Sequence, residues 1–307
     1  MSALRKRVPQ RREPPLPTLR LRDLTAADWR TIVVHAGKKL LADNASMLAS
    51  ALAYSSFFAI PSVLLLVVGV FTLTVGPQTI TSLMHHFDHV MPAQATSLLG
   101  SSLKNLAAHP AQGVLMVVLG LFLALWSTTG AMTSFMTAIN IAYDRKDGRS
   151  FVRKRLNALK MVVAVGIALL LVAVFLIFGP LIEHAIARHA GAAGSVVTWV
   201  WWTAQWPILL FGLVAAFATL LDLGPDIERS RWTFFTPGSL VAALIWIAAS
   251  GVFAVYTATF GSYNKTWGTL SAVIVTLTWL WLSAMALLLG AEINAEAQRS
   301  ERLRSAE

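Results

Sequence analysis

Six stretches of this chain are apolar and long enough for a helix to cross a bilayer, and none contains Asp, Glu, Lys, Arg or His. They run from Ala51 to Val75, Gly113 to Ile139, Met161 to Ile182, Val196 to Leu221, Pro237 to Phe260 and Leu270 to Leu289. A hydrocarbon core of about 30 Å takes roughly 20 apolar residues in α-helix. No water is available there to satisfy the backbone, so such a chain is restricted to helices or a closed barrel. Unbroken apolar runs favour helices, because barrel strands alternate. Composition agrees: 56% of residues are apolar and 13% charged, where soluble domains run at roughly 45–50% and about 25%. The fold class predicted is therefore all-α, a polytopic membrane protein with six transmembrane helices.

The charges outside the runs set the orientation. Of the 25 Lys+Arg, ten precede Ser50 and seven lie between the second and third runs, counting Lys160. Arg229 and Arg231 follow the fourth run, and Arg299, Arg302 and Arg304 follow the sixth. The remaining three, Lys104, Arg188 and Lys265, fall on the opposite side. Lys and Arg collect in cytoplasmic loops, so both termini are expected in the cytoplasm. The first run begins later than the 15–30-residue reach of a cleaved secretory signal, so no signal is expected to be removed. The chain has no cysteine, which excludes Cys-ligated zinc, iron–sulfur clusters and thiol catalysis.

Three segments are expected. Residues 1–24 form a disordered basic tail with Arg5, Lys6, Arg7, Arg11 and Arg12, residues 25–298 a single membrane domain, and residues 299–307 a second tail. The basic tail serves as a topology signal or as a clamp on anionic lipid, worth about 1 kcal/mol per charge. Thr25 and Asp28 have capping-box spacing. Trp29, Ile32, Val33, Ala36 and Leu40 share a helical face behind them, predicting an interfacial N-terminal helix. In the first extracytoplasmic loop, Ile80, Leu83, Met84, Phe87 and Met91 predict one amphipathic helix. Leu98, Leu99, Leu103 and Leu106 predict a second, beyond Pro92.

Several short motifs are shared with a known family. Ala51-Leu52-Ala53-Tyr54 with Pro61 opens the first run, and Leu125-Trp126-Ser127 leads through the second to Asn140 and Tyr143. Arg231-Trp232 precedes Pro237-Gly238. Phe260-Gly261-Ser262-Tyr263 leads to Gly268 and Ala272-Val273-Ile274, and Gly290-Ala291-Glu292-Ile293-Asn294 closes the pattern. Over residues 28–298 the chain resembles the YihY/virulence factor BrkB family of bacterial inner-membrane proteins. Ile247 and Trp267 depart from its usual Glu and Tyr. The resemblance implies a multi-pass protein of the bacterial inner (plasma) membrane. Members were long labelled ribonuclease BN, and some are proposed to move lipids or lipopolysaccharide precursors.

Candidate chemistry is sparse. Met84-His85-His86-Phe87-Asp88-His89 falls one ligand short of the H-x-H-x-D-H motif of metal-dependent hydrolases, because Met84 takes the first His position. His85 and His89, four apart on a helix, remain weak metal candidates beside the reading of a solvated face. Arg145, Lys146, Arg149, Arg153, Lys154 and Arg155 would attract phosphates, but membrane topology requires the same charges. No carboxylate cluster for two-metal hydrolysis, nucleotide-binding loop or GxSxG elbow accompanies them. Ribonuclease activity, a cofactor and a nucleic-acid partner are therefore not expected.

Asp43 and Asn44 before the first run, Asn140 in the second, and Glu292 and Asn294 after the sixth form a candidate cytoplasmic vestibule. Lys39, Arg153, Lys154 and Arg155 are its candidate phosphate contacts; the alternative is that these groups cap helix ends and pair with one another. Gly130 and Ser134 have small-xxx-small spacing for close helix packing, and Thr129, Thr133, Thr137 and Asn140 extend a polar stripe. Trp126, Trp246, Trp279 and Trp281 sit mid-run and are expected to pack on neighbouring helices, whereas Trp199, Trp201 and Trp202 read as interface residues.

Ion-coupled pumps place carboxylates or histidines inside their spans, and none lies inside these runs. An apolar groove with polar mouths suits a carrier of lipids or other amphiphiles that meets anionic head groups. A non-transporting envelope-integrity or scaffold protein is the alternative, and homo-oligomers fit either. The topology has a direct test: a single Cys at position 265 is expected to react with an impermeant thiol reagent from outside. Cytoplasm-only labelling at position 265 overturns the six-span arrangement.

Overall fold

A computed structural model describes residues 25–74, 110–168, 170, 194–227, 235–259 and 269–304. The described residues form helices joined by turns and short irregular segments: α1 (Ala26–Ala42), α2 (Ala45–Thr74), α3 (Pro110–Ala142), α4 (151–168), α5 (Gly194–Leu223), α6 (Pro237–Thr259) and α7 (Thr269–Arg304). Five of them, α2, α3, α5, α6 and α7, are long and apolar enough to cross a membrane. They correspond to the first, second, fourth, fifth and sixth apolar runs. The third run, 161–182, lies mostly outside the described residues. The amphipathic helices expected between residues 80 and 106, with His85 and His89, lie outside them entirely, as do the tail 1–24 and residues 305–307.

The exteriors of these helices are apolar. Only 17–22% of each helix's most apolar window is buried within the protein, and Leu64, Phe122, Val252 and Ile274 stand at least half exposed. Side chains of this kind over a whole circumference require lipid as solvent. Pro61 and Pro207 lie inside α2 and α5, which is tolerated in membrane helices whose neighbours re-satisfy the freed carbonyls.

α7 is the axis of the packing. Its Ala284 and Leu288 pack with Ala45, Ala49 and Leu52 of α2 and Ala138 of α3. Its Leu287 and Ala291 join Ile139 of α3, Val214, Phe217 and Leu221 of α5, and Ala242 and Ala243 of α6. Further along, Ile293 and Ala297 bury Ile32 and Ala36 of α1. Within lipid, apolar area gives no net drive between helices, so close backbone approach and dispersion hold them. The preponderance of alanine at these contacts meets that requirement.

Two expectations change here. The sixth run ends at Leu289 in hydropathy, but α7 continues unbroken to Arg304, because Ala291, Ile293 and Ala297 still have partners to bury against. α1 starts at the predicted cap: Thr25 Oγ1 accepts from the Asp28 amide at 3.3 Å, and the Thr25 amide donates to Asp28 Oδ2 at 2.9 Å. Its face was read as lying on the leaflet, yet Ile32 and Ala36 are docked on α7 while Val33 stays 48% exposed.

The predicted polar stripe of α3 closes on itself, since Thr128, Thr129, Thr133 and Thr137 each donate to the carbonyl one turn back. A Cβ on Gly130 would meet nothing within 4 Å among the described residues, so the Gly130–Ser134 pair makes no tight contact with any of the described helices. Tight contacts lie elsewhere: a Cβ on Gly120 of α3 would fall 2.8 Å from the Leu66 backbone of α2. A Cβ on Gly290 would fall 2.6 Å from the Gly238 carbonyl oxygen, and one on Gly238 would clash with the Gly290 carbonyl. Of the mid-run tryptophans, Trp246 donates to Ser283 Oγ (2.8 Å), Trp279 to Ser250 Oγ (3.3 Å) and Trp281 to the Ser46 carbonyl (3.2 Å). Trp126 is instead 62% exposed. Trp199, 67% exposed, is consistent with an interface position.

Gly290→Val is expected to separate α6 from α7 and to cost several kcal/mol, on the order of 3 or more, because backbone rather than a movable side chain opposes the added atoms. Gly130→Ala is expected to leave thermal unfolding unchanged or raised by up to about 1 kcal/mol. Equal unfolding temperatures for the two variants would contradict this packing.

Candidate functional site

Two chain reversals meet beside the far part of α7. After α1 the chain turns through Asp43 and Asn44, and the Asp43 amide donates to the Lys39 carbonyl at 2.8 Å. Asn44 has φ of 52°, as does Asp144 after α3. Among non-glycine residues, Asn and Asp tolerate this left-handed region best. The Asp144 turn closes with Arg145 N donating to the Asn140 carbonyl at 2.8 Å.

Lys39, in the last turn of α1, bridges these turns. Its Nζ donates to the Ala142 carbonyl at 2.7 Å, pairs with Asp144 Oδ2 at 2.8 Å, and lies 3.5 Å from Glu292 Oε2. A cation at the C-terminus of α3 is favoured by the unpaired carbonyls and the helix dipole. Arg299 Nη2 reaches the same Asp144 Oδ2 at 2.8 Å, and its Nη1 reaches Glu296 Oε1 at 3.0 Å. Burial alone would raise the Asp144 carboxyl, but Lys39 and Arg299 hold it below the ordinary carboxylate range. Glu292 is 2% exposed. The Asp43 carboxyl adjoins it. Among the described residues Asp43 Oδ2 and Glu292 Oε2 are both buried without a hydrogen-bond partner, Glu292 Oε2 keeping only its 3.5 Å ion pair with Lys39.

A cavity of about 250 Å³ opens at this junction, with Lys39, Tyr143, Asp144, Arg145, Gln298 and Arg299 in its wall. Burial pushes the Tyr143 hydroxyl upward, against a smaller opposing effect from its hydrogen bond with Asn294. Tyr143 therefore stays a neutral hydroxyl. The wall presents three cations to one carboxylate, and that carboxylate, Asp144, is half exposed.

The predicted vestibule residues divide. Lys39, Asp43 and Glu292 come together. Asn44 shapes the turn. Asn140 ties α3 to the segment after α5: its Oδ1 accepts from the Asp226 amide at 2.7 Å, and its Nδ2 donates to the Met136 carbonyl at 2.8 Å. Asn294 accepts from the Gly238 amide at 2.8 Å and donates to Thr236 Oγ1 at 2.9 Å, capping α6 from α7. Arg153, Lys154 and Arg155 do not line the cavity. α4 packs on α3 through Ala158 and Met161 against Met136. Lys154 pairs with Asp147 at 3.4 Å, the Arg155 guanidinium sits 4.9 Å from the Trp126 ring centroid, and Arg153 is exposed.

The loop between α3 and α4 is fixed by Arg149. It donates to the Gly224 carbonyl at 2.7 Å, the Leu223 carbonyl at 3.3 Å and Asp147 Oδ1 at 2.9 Å. Burial would raise Asp147, but Arg149 and Lys154 draw it below its usual value. This loop is a structural clamp at the C-terminus of α5. Among the described residues no group of three or more His, Asp or Glu stands close enough to hold a metal.

The residues missed from sequence were Asp144, Arg145 and Arg299 as cavity groups. The sequence reading counts Arg299 only as a topology charge, and Arg145 as a topology charge or a loop cation that would attract phosphates. The signal that bore on them was an acidic residue directly after an apolar run, Asp144, flanked by cations it would have to pair with.

These features define a multi-pass helical membrane protein with a charged junction at one end of its bundle. Residues 36–307 match the family described as Virulence factor BrkB, and the chain belongs to that family. YfkH of Bacillus subtilis, whose name marks it as ribonuclease-like, is 29% identical over 216 residues, covering 70% of this chain and 77% of YfkH. A UPF0761 membrane protein of Chromohalobacter salexigens is 27% identical over 89% of this chain and 66% of its own length. Another, from Azotobacter vinelandii, is 42% identical over 67 residues, which is 22% of this chain and 16% of that protein. The chain thus spans just under two thirds of the Chromohalobacter protein and a small part of the Azotobacter one. No solved structure matches the chain.

Proposed function

We propose that this chain is a six-span carrier of anionic amphiphiles in a bacterial inner membrane, with both termini and the Lys39 junction on the cytoplasmic side. The observation that carries this reading is the cavity walled by Lys39, Arg145 and Arg299 at the end of a bundle with apolar flanks. At about 250 Å³ it is smaller than the roughly 300–1,000 Å³ sites that enclose drug-sized ligands. It suits a phosphate-bearing head group, with the acyl chains left along the lipid-facing helices.

Asp144 occupies the place of the incoming anion. Its carboxylate bridges Lys39 and Arg299, as a phosphate would. Because it is half exposed, its carboxylate can turn into water while the head group takes its place on Lys39. The head group then inherits two charge-assisted contacts. The reading assigns the chain no covalent reaction, no cofactor and no nucleic-acid partner. The imbalance of 22 Lys+Arg on one face against three on the other supports the orientation.

Reconstitution in vesicles with labelled phosphatidylglycerol and labelled phosphatidylcholine tests it. The wild-type chain is expected to move the anionic lipid faster than empty vesicles do. Loss of one charge-assisted contact, about 1.4 kcal/mol or more, is expected to slow that movement about tenfold in Arg299→Gln, with thermal unfolding little changed. No movement by the wild-type protein, or a variant as active as wild type, refutes a head-group role and leaves the scaffold reading.

A further inference from the structure

The carboxyls of Asp43 and Glu292 are adjacent, and each presents one buried oxygen with no hydrogen-bond partner among the described residues. An ionised carboxylate only accepts hydrogen bonds. Two carboxylates facing each other therefore leave lone pairs unsatisfied and add like-charge repulsion, and a buried polar group without a partner costs about 1–3 kcal/mol, more when charged. Lys39 relieves only part of this. Two of its three N–H groups are committed to Ala142 and to Asp144 at 2.7 and 2.8 Å, leaving the third for Glu292 at 3.5 Å.

The surrounding charges do not close the gap. From α1 comes Lys39, and from the end of α3 come Asp144, Arg145 and the neutral Tyr143 hydroxyl. Asp222 of α5 acts on Tyr143, and α7 adds Glu296 and Arg299. Among the described residues, Lys39, Arg145 and Arg299 thus stand with five carboxylates, Asp43, Asp144, Asp222, Glu292 and Glu296, and Asp43 Oδ2 keeps no hydrogen-bond donor among them.

We propose that Asp43 and Glu292 bind one proton between them, so that the α1–α2 turn and α7 are the two halves of a proton-binding site. With the proton present, one carboxyl donates an O–H to the other and ties the turn to α7. When the proton leaves to water, two like charges face each other across that contact and loosen it. Like-charged carboxyls a few ångströms apart hold a shared proton for this reason. The inference stands on these residues alone and does not depend on what the adjacent cavity carries.

The experiment uses the full chain in lipid nanodiscs. Dicyclohexylcarbodiimide modifies protonated carboxyls in apolar surroundings, so peptide mapping by mass spectrometry is expected to find the adduct on Glu292 at neutral pH. Raising the pH is expected to remove it. Infrared spectra are expected to show a protonated-carboxyl stretch that disappears in Glu292→Gln and in Asp43→Asn, where the new amide supplies the missing donor without a proton. An unmodified pair in the wild-type protein at neutral pH, or an infrared spectrum indistinguishable from that of Glu292→Gln, overturns the proposal. The labelling result on the wild-type chain decides the matter even where a variant fails to fold.

Discussion

Lys39 carries a positive charge from the end of α1 to a place where its side chain is 15% exposed, and the arrangement around it follows from keeping that charge satisfied. An ammonium taken out of water costs several kcal/mol unless anions and acceptors replace its hydration. Ala142, Asp144 and Glu292 do so from two other segments of the chain. One side chain thereby ties the last turn of α1 to the C-terminus of α3 and to Glu292 of α7. The left-handed residues Asn44 and Asp144 turn the chain so that these groups converge.

Inside the lipid-facing part of the bundle a different constraint operates. There, packing depends on backbone proximity, and α7 supplies it with small residues toward every neighbour. The Gly238–Gly290 crossing brings α6 so close that Asn294, one turn further along α7, caps the first turn of α6 directly. Packing and capping are thus one device: the residues that let the helices touch also place the polar groups that satisfy the helix end. The charged junction lies at the same end, so the rigid part of the bundle and the candidate site share α7 as a common wall.

Much of the helix content was legible in the sequence because long apolar runs allow few structures. Four of the runs match α2, α3, α5 and α6 to within a few residues, apart from an earlier start to α2. The extension of α7 was not legible from hydropathy: Glu292, Asn294 and Glu296 lower it, and only the partners of Ala291, Ile293 and Ala297 justify their burial. The Asp43–Glu292 neighbourhood was reached by noting that carboxylates flanking apolar runs need partners. Their partner Lys39 was named, but Asp144 and Arg299 were not, because a pairing across 155 residues leaves no local pattern. Gly130 finds no tight contact among the described residues. Its spacing suggested a close contact, whereas the contact requires an opposing backbone that spacing alone does not reveal.

The central claim is that Lys39 holds the junction of α1, α3 and α7 together, and thermal unfolding of Lys39→Met in lipid nanodiscs measures it most directly. Glu292 and the Ala142 carbonyl would lose their cation, and removing one partner of a buried pair costs about 3–5 kcal/mol. The account predicts a loss of about 3 kcal/mol for Lys39→Met and a much smaller one for Asp144→Asn, whose carboxylate is half in water. Unfolding of Lys39→Met at the wild-type temperature would contradict it.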